Sequence, residues 1–296
     1  MLDRRKFLGF SGALAVSAAI PAGAAEKPRI APRPIPGTDE TLPVVGLGNS
    51  ASFREQDLET AANLLDIFAR HGGGYVDVGG VSRIAVGTIL RSQGSSERYF
   101  LANYVDSRNE SALASEARRL SKAQGKQSLD LVHIRDIAAF RENHSLFRML
   151  KEEGLVRYIG IARSGEDGFS TIAELIKDGL VDFIQVNYSL LEPLAGDHLL
   201  PLAADSGVAV SINRPFINGR YFDVIKGQSL PPWAADFECD SWAQFSLKFI
   251  IANTAVNCVL TETANPKHAE DNLGAGYGAL PDAATRVKMQ EFISNL

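Results

Sequence analysis

This sequence of 296 residues has little cysteine, and it has no strong excess of charge of one sign. Two cysteines, Cys239 and Cys258, are too few for a disulfide framework or a structural zinc site, although they can form one bridge if they lie close together. Lysine and arginine number 30 against 35 aspartate and glutamate residues, which gives a net charge of −5. No basic stripe stands out, so we expect no nucleic-acid partner.

Histidine is also scarce, and its positions exclude the common metal motifs. The five histidines form neither a His-x-His nor a His-Glu-x-x-His pattern, so we predict no metal site. No Gly-x-Ser-x-Gly segment is present either, which argues against a serine nucleophile elbow. The sequence contains 45% hydrophobic and 22% charged residues, which is the composition of an ordinary globular protein.

Residues 1–25 have the features of an export signal. Arg4 and Arg5 precede an apolar stretch over residues 9–20, and small residues suited to cleavage end at Ala24 or Ala25. A basic start, a short apolar core and a small-residue site indicate a secretory signal, and the paired arginines resemble the twin-arginine type. The apolar stretch is shorter than the roughly 20 residues that span a membrane. We therefore expect a periplasmic mature protein without a membrane span.

The remaining sequence predicts one domain. Residues 26–41 are rich in proline and suggest an extended tether, after which short apolar runs alternate with amphipathic helical patterns over residues 42–296. Such runs are typical of parallel strands buried on both faces. Eight of them, each followed by a helix or a long loop, predict an α/β fold of the (β/α)8 or TIM barrel type. An open doubly wound sheet is the alternative, although no Gly-x-Gly-x-x-Gly follows the first strand. The predicted strands are residues 42–47, 74–78, 99–105, 129–134, 156–162, 183–188, 208–213 and 257–261.

The longest stretch without a regular pattern is residues 215–240, between the seventh strand and its helix. It is rich in aromatic residues and contains several glycines and prolines. A loop of this kind at the carboxyl end of a barrel strand forms either a lid or substrate wall, or a surface loop packed by its own side chains.

The polar residues at the carboxyl ends of the predicted strands define a candidate site, because barrel enzymes place their chemistry there. Strands four, five and seven end in Arg135, Arg163 and Arg214. Three guanidinium groups can together bind a planar anion such as a carboxylate, phosphate or sulfate. The alternative is that they pair with the carboxylates of Asp77, Asp136 and Glu262 and have no charge left for a ligand. His133 is the one histidine expected to line the barrel.

Several segments resemble the aldo-keto reductases. They are residues 42–48 (LPVVGLG), 74–77 (GYVD), 154–160 (GLVRYIG), 185–189 (QVNYS) and 265–272 (NPKHAEDN). The resemblance runs from Leu42 to about Leu273 and implies a (β/α)8 barrel that uses NADP.

The resemblance also implies a catalytic set of aspartate, tyrosine, lysine and histidine, with the tyrosine as general acid toward a carbonyl. Here the corresponding residues are Asp77, Ser82, Tyr104 and Arg135, so three of the four positions differ. Because a serine hydroxyl is a much weaker acid than a phenol, Ser82 cannot simply replace the tyrosine. We expect Tyr104 to serve as a displaced phenol whose pKa is lowered by Arg135.

The positions that the family uses for its cofactor are changed at one end. Where the resemblance implies Ser-Asn for the nicotinamide amide, the sequence has Ala162 and Arg163, and Asn213 replaces a stacking tyrosine. Glu262 falls near the expected phosphates, where a carboxylate is unfavourable. Other positions still match the family pattern, including those that the resemblance assigns to the adenosine end of NADP. The candidate cofactor-binding residues are Gln185, Asn187, Arg163, Asn213, Arg214, Lys267 and Asn272.

Two functional hypotheses follow. In the first, an exported barrel has lost NADPH-dependent reduction and binds or acts on a small, anionic ligand at its mouth. In the second, an active NADP(H)-dependent oxidoreductase receives its cofactor before export, since the twin-arginine route carries folded proteins. A third, a scaffold that binds a protein partner through residues 215–240, has less support. The substrate and the oligomeric state are left open by the sequence.

Overall fold

The computed structural model describes residues 29–48, 58–79, 82–105 and 109–296. The predicted signal peptide, residues 1–25, lies outside these ranges. In the described part of the chain, no helix is both long enough and apolar enough to cross a membrane.

The predicted barrel is confirmed. Within the described residues, eight parallel strands close on themselves, and each strand pairs with the next one along the chain until the last pairs with the first. This order arises because each helix returns the chain to the same end of the sheet. The barrel strands are β3 (Val45–Leu47), β4 (Tyr75–Asp77), β5 (Phe100–Tyr104), β6 (Leu129–Ile134), β7 (Val156–Ala162), β8 (Phe183–Asn187), β9 (Ala209–Asn213) and β10 (Cys258–Thr261).

The helices surround this barrel and bury one apolar side against it. The third helix shows how the sequence sets their ends: the Asn109 side chain accepts a hydrogen bond from the Ala112 N–H, and Gly125 ends the helix with a φ of 69°, which glycine adopts without strain. The helices are α1 (Leu58–Arg70), α2 (Ser82–Ser92), α3 (Glu110–Gln124), α4 (Ile137–Glu142), α5 (His144–Glu152), α6 (Phe169–Lys177), α7 (Leu199–Asp205), α8 (Arg220–Val224), α9 (Trp242–Ile251), α10 (Pro266–Gly274) and α11 (Ala283–Ser294).

The proline-rich segment is part of the folded unit and not a loose tether. Its strand β1 (Pro32–Pro34) pairs antiparallel with β2 (Thr41–Pro43). Ile35 in the connecting turn is buried, and the Arg33 guanidinium donates to the carbonyls of Asn253, Val256 and Ile251. The prediction of extended backbone was correct, but the prediction of a tether missed the packing of this hairpin, because the carbonyls that Arg33 binds lie more than 200 residues away in the sequence.

The inside of the barrel changes from apolar to polar along its axis. Its amino-terminal half contains a buried apolar cluster that includes Leu42, Tyr75, Leu131 and Phe183. The next inward-facing residues along the strands, two positions later, are polar: Asp77 after Tyr75, and Gln185 after Phe183. This spacing of two follows from the alternation of side chains along a strand. The apolar half is a packed core, and the polar half forms the candidate site.

Residues 215–240 are ordered, contrary to the prediction of an irregular stretch. They contain helix α8 and two 3₁₀ turns, Ile217–Gly219 and Pro232–Phe237. Tyr221 is buried and its hydroxyl donates to the Trp242 carbonyl at 3.0 Å. The aromatic residues pack against one another, which agrees with the packed-loop alternative and does not exclude a substrate wall.

The two cysteines do not form a bridge. Cys239 lies in the segment before α9, Cys258 lies in β10, and both are buried free thiols. Burial raises the pKa of both thiols, which disfavours the thiolate needed for oxidation.

Candidate functional site

A cavity of about 410 Å³ opens at the carboxyl ends of the barrel strands. Parallel strands end at the same rim, so residues from distant parts of the sequence meet there. Seven of the eleven predicted site residues line it, together with Ala162, Ser164 and Glu262. The seven are Asp77, Tyr104, Arg135, Arg163, Gln185, Asn213 and Arg214.

A buried hydrogen-bond network forms the floor of the cavity. The Tyr104 hydroxyl donates to Asp77 Oδ2 at 2.7 Å, and Gln185 Nε2 donates to the same oxygen at 3.0 Å. The Ser211 hydroxyl contacts Gln185 Oε1 at 3.3 Å, and the Gly79 N–H donates to Asp77 Oδ1 at 3.1 Å. The Asp77 carboxylate is therefore satisfied from several sides, as a buried charge requires.

This network reverses the expectation for Tyr104. Burial, followed by the negative charge of Asp77 and the hydrogen bond to it, raises the pKa of Tyr104 well above its usual value. Arg135 acts in the opposite direction, but its effect is the smallest of these. Tyr104 is thus not an acidified phenol, because its proton is held by the Asp77 carboxylate.

Arg135 lies over Tyr104 instead of pairing with an acid. Its guanidinium carbon is 4.1 Å from the centre of the Tyr104 ring, a cation–π distance. The side chain is exposed at the mouth, and it makes no ion pair with any residue in the described ranges. The cation is therefore held against a ring, and it lines the opening of the cavity.

The other two arginines pair with carboxylates, but not with those predicted. Arg163 contacts Asp167 at 2.5 Å, one helical turn later in the chain, and Arg214 lies 4.0 Å from Glu192. Asp136, one of the predicted partners, instead accepts the Ala139 N–H at the start of α4. Both arginine pairs are partly exposed, so each retains part of its charge for a ligand.

The backbone at Arg214 is unusual. Its φ is 50°, in the left-handed region that residues with a side chain rarely adopt. Ile217 and Asn218, in the turn that follows, have φ values of 50° and 54°. Backbone strain of this kind clusters at ligand-binding sites, and here it sets the direction in which Arg214 and the following turn leave β9.

His133 lies inside the barrel beneath the cavity, as predicted. It is fully buried, its ring centre is 5.7 Å from that of Tyr104, and neither ring nitrogen has a hydrogen-bond partner in the described part of the chain. Gly160 leaves room for it, since a Cβ there would lie 2.7 Å from His133 Nδ1. Burial, assisted by the positive charge of Arg135, lowers the pKa of His133 to about 3. The imidazole is neutral at ordinary pH.

Four predicted residues do not line the cavity. Asn187 is buried and bridges two loops, with its Nδ2 donating to Glu192 and its Oδ1 accepting the Gly165 N–H. Lys267 is exposed in the first turn of α10, and Asn272 is buried in the last turn of that helix. Ser82 is the first residue of α2, but its side chain lies outside what the structure describes.

A second, smaller cavity adjoins the first and was not predicted from the sequence. It measures about 220 Å³ and shares Arg214 and Glu262 with the larger cavity. Phe216 and Phe222 form its aromatic wall, with ring centres 5.0 Å apart. The aromatic residues of the 215–240 segment were the available signal, but only the fold shows which of them face the site.

Among the described residues, no group of three or more histidine, cysteine, aspartate and glutamate side chains is placed to hold a metal ion.

The family model for the aldo/keto reductase family matches residues 44–286. The chain belongs to the aldo/keto reductase family. This confirms the resemblance seen in the strand motifs, and the cavity described above lies at the end of the barrel where such enzymes have their site.

Among known proteins of this family, the NADH-specific methylglyoxal reductase of Escherichia coli K12 is 33% identical over 168 residues. The match covers 48% of this chain and spans only half the length of that relative.

Solved structures agree in fold. The holo form of aldo-keto reductase AKR11C1 from Bacillus halodurans superposes with a TM-score of 0.72 at 19% identity, covering 90% of this chain and 96% of that one. An aldo-keto reductase from Klebsiella pneumoniae, solved in complex with NADPH, gives 0.73 at 18% identity, covering 87% and 93%. At such low identity these structures support the fold alone.

Proposed function

We propose that this aldo/keto reductase family member is an exported protein that binds a small anionic ligand at the barrel mouth and has lost conventional NADPH-dependent carbonyl reduction. The observation that carries the proposal is Arg135, an exposed guanidinium fixed over the Tyr104 ring without an anionic partner among the described residues. Arg163 and Arg214 line the same cavity. A guanidinium presents paired N–H donors that match a carboxylate, phosphate or sulfate.

The loss of carbonyl reduction is supported by the state of the phenol. A general acid must release its proton to the substrate oxygen as charge develops there. The Tyr104 proton is instead donated to Asp77, and its pKa is raised by burial and by that carboxylate. His133 is neutral and has no hydrogen-bond partner in the described region, so it supplies no proton either.

The residues present do not fit the reactive end of a nicotinamide cofactor. Asn213, at the position where the family resemblance implies a stacking tyrosine, uses its amide nitrogen to bond the Arg163 carbonyl and the Ser164 hydroxyl. Glu262 lies across the end of β3, where a Cβ at Gly48 would be 2.6 Å from its Cγ. The Glu262 side chain therefore occupies the space beside β3 at the rim, which leaves less room for a cofactor there.

The alternative function is that of an active NADP(H)-dependent oxidoreductase loaded with cofactor before export. The specific observation in its favour is the adenosine end: Lys267 is exposed in the first turn of α10, and its N–H is fixed by the Asn265 side chain. An exposed lysine at a helix start is suited to a phosphate. The similar aldo-keto reductase from Klebsiella pneumoniae was solved in complex with NADPH, which supports this alternative.

Isothermal titration of the purified mature protein separates the two functions. Our proposal expects heat on addition of acetate, sulfate or phosphate, and none on addition of NADPH or NADP at millimolar concentration. Nucleotide released from the purified protein on denaturation, or tight NADPH binding, would establish the alternative. If none of the three anions binds, the proposed anion site is wrong.

Export is tested separately by cell fractionation. We expect the wild-type chain in the periplasm and its precursor in the cytoplasm when both Arg4 and Arg5 are changed to lysine, since the paired arginines resemble the export signal. If the wild type and the double lysine variant are found in the periplasm in equal proportion, export by the twin-arginine route is contradicted.

A further inference from the structure

We propose that the ligand of this site is an aromatic carboxylate, whose anionic group binds Arg214 and whose ring enters the smaller cavity against Phe216 and Phe222. This inference rests on the proposed anion site and assigns a chemical class to its ligand. It starts from the two cavities, which adjoin each other because both are lined by Arg214 and Glu262.

Arg214 is the anchor that both cavities share. Among the described residues it pairs with the Glu192 carboxylate at 4.0 Å, and its Nε has no hydrogen-bond partner there. A guanidinium so weakly paired keeps its capacity for a bidentate carboxylate. The left-handed backbone at this residue holds the side chain at the border between the two cavities.

The smaller cavity differs from the larger one in its chemistry. Its polar lining residues are Arg214, Asn218 and Glu262. The rest of the lining is Pro215, Phe216, Gly219 and Phe222. Phe222 is 41% exposed despite packing against both Phe216 and Tyr221. A large apolar side chain that is left open beside a polar site is a candidate ligand contact.

The size and shape of this cavity suit one ring. An apolar cavity of roughly 150 Å³ is enough for benzene, and this one measures about 220 Å³. The two phenylalanine rings are tilted by 45° to each other, so a third ring can pack edge-to-face or offset against them. A ligand with its anion at Arg214 and a ring beside it would place the ring in the smaller cavity and the anion at the border with the larger one.

The test compares three probes by isothermal titration: 3-phenylpropionate, propionate and the neutral 3-phenylpropionamide. We expect 3-phenylpropionate to bind about tenfold or more tightly than propionate, since a buried ring adds roughly this much, and the amide to bind at least tenfold more weakly than the acid. In Phe222→Ala the preference for the aromatic acid should fall to about twofold. Phe222→Leu, which keeps apolar area without a ring face, should lie between.

Val287→Ala provides the matched control, because Val287 is an exposed apolar residue on α11 away from both cavities. It should leave the preference unchanged, and circular dichroism of each variant should match that of the wild type. Equal affinities for propionate and 3-phenylpropionate would overturn the aromatic subsite while leaving the anion site intact. Absence of binding by either acid would overturn both proposals, and equal binding of acid and amide would overturn the role of Arg214.

Discussion

Tyr104 donates its hydroxyl proton to Asp77 across a distance of 2.7 Å, at the floor of the barrel mouth. Both side chains are almost fully buried, and Gln185 donates to the same carboxylate oxygen and also approaches the Tyr104 hydroxyl at 2.9 Å. This arrangement makes the phenol a support for a buried charge. It also argues against the role of general acid that the sequence suggested for this phenol.

Replacement of Tyr104 by phenylalanine should therefore reduce stability more than it affects ligand binding. The Asp77 carboxylate would lose one of its charge-assisted hydrogen bonds, which typically costs about 1.5–3 kcal/mol. Urea unfolding of Tyr104→Phe measures this loss.

Tyr99→Phe is the matched control, since Tyr99 donates a neutral bond to the Leu65 carbonyl at 3.2 Å and should cost only about 1 kcal/mol. A Tyr104→Phe variant that is as stable as the wild type would show that Asp77 does not depend on the phenol.

Replacement of Arg135 by glutamine should weaken the binding of acetate or sulfate by about tenfold or more, because a charge-assisted contact contributes about 1.5–3 kcal/mol. The fold should be unaffected, since the side chain is exposed. Titration calorimetry measures the affinity.

Arg141→Gln is the control for the loss of one positive charge: Arg141 is an exposed arginine that pairs with Glu174 at 2.9 Å, outside the cavity. If the two variants lose affinity equally, the effect is one of net charge and the assignment to Arg135 is wrong.

His133 should make the protein less stable as the pH falls from about 6.5 to about 3. Its folded pKa is lowered to about 3, so in this range the unfolded chain binds a proton that the folded chain does not. Stability is then lost toward acid and regained toward neutral pH. At pH 5 the loss from this one group amounts to about 2 kcal/mol.

The measurement is the free energy of unfolding of wild type and His133→Gln at several pH values between 4 and 7. The variant should be the less sensitive to pH, since the carboxylates titrate alike in both proteins. If the free energies of unfolding of the two proteins depend on pH in the same way, His133 is not neutral and buried as described.

The hairpin at the amino-terminal end of the barrel should be fastened by Arg33. Its guanidinium bonds three carbonyls at and just beyond the end of α9, where a positive charge also suits the helix dipole. We expect Arg33→Ala to lower stability by about 2–3 kcal/mol and to speed amide exchange near residues 250–257.

Arg29→Ala, which removes an exposed arginine from the same segment, should change neither property measurably. If both variants behave like the wild type, the hairpin is held by its apolar contacts alone.

The predicted fold and the predicted site differ in how far the sequence could determine them. Barrel strands such as Leu129–Ile134 and Val156–Ala162 are mostly apolar runs, interrupted by only one or two charged or imidazole side chains each. Such a run is a local signal in the sequence. The residues at their carboxyl ends had to meet, because parallel strands share one rim. For this reason seven of the eleven candidate residues line one cavity, including all three arginines of the mouth.

The sequence patterns did not determine which residues at the rim form hydrogen bonds and ion pairs with each other. Arg163 pairs with Asp167, and Asn187 bridges Gly165 and Glu192, whereas the sequence suggested other carboxylates for the first and a cofactor for the second. Several acids lie at similar distances along the chain from each arginine. Only the path of each loop decides which one comes within bonding distance.

The sequence by itself determined the class of fold, its family and the list of polar groups at one end of the barrel, because each depends on short patterns of polarity. Only the tertiary structure decided that Tyr104 gives its proton to Asp77, that Arg135 rests on a ring without an acid beside it in the described ranges, and that Phe216 and Phe222 open a second cavity. These depend on distances between side chains from different strands and loops. Such distances, and the burial that shifts each pKa, exist only after the whole barrel has closed.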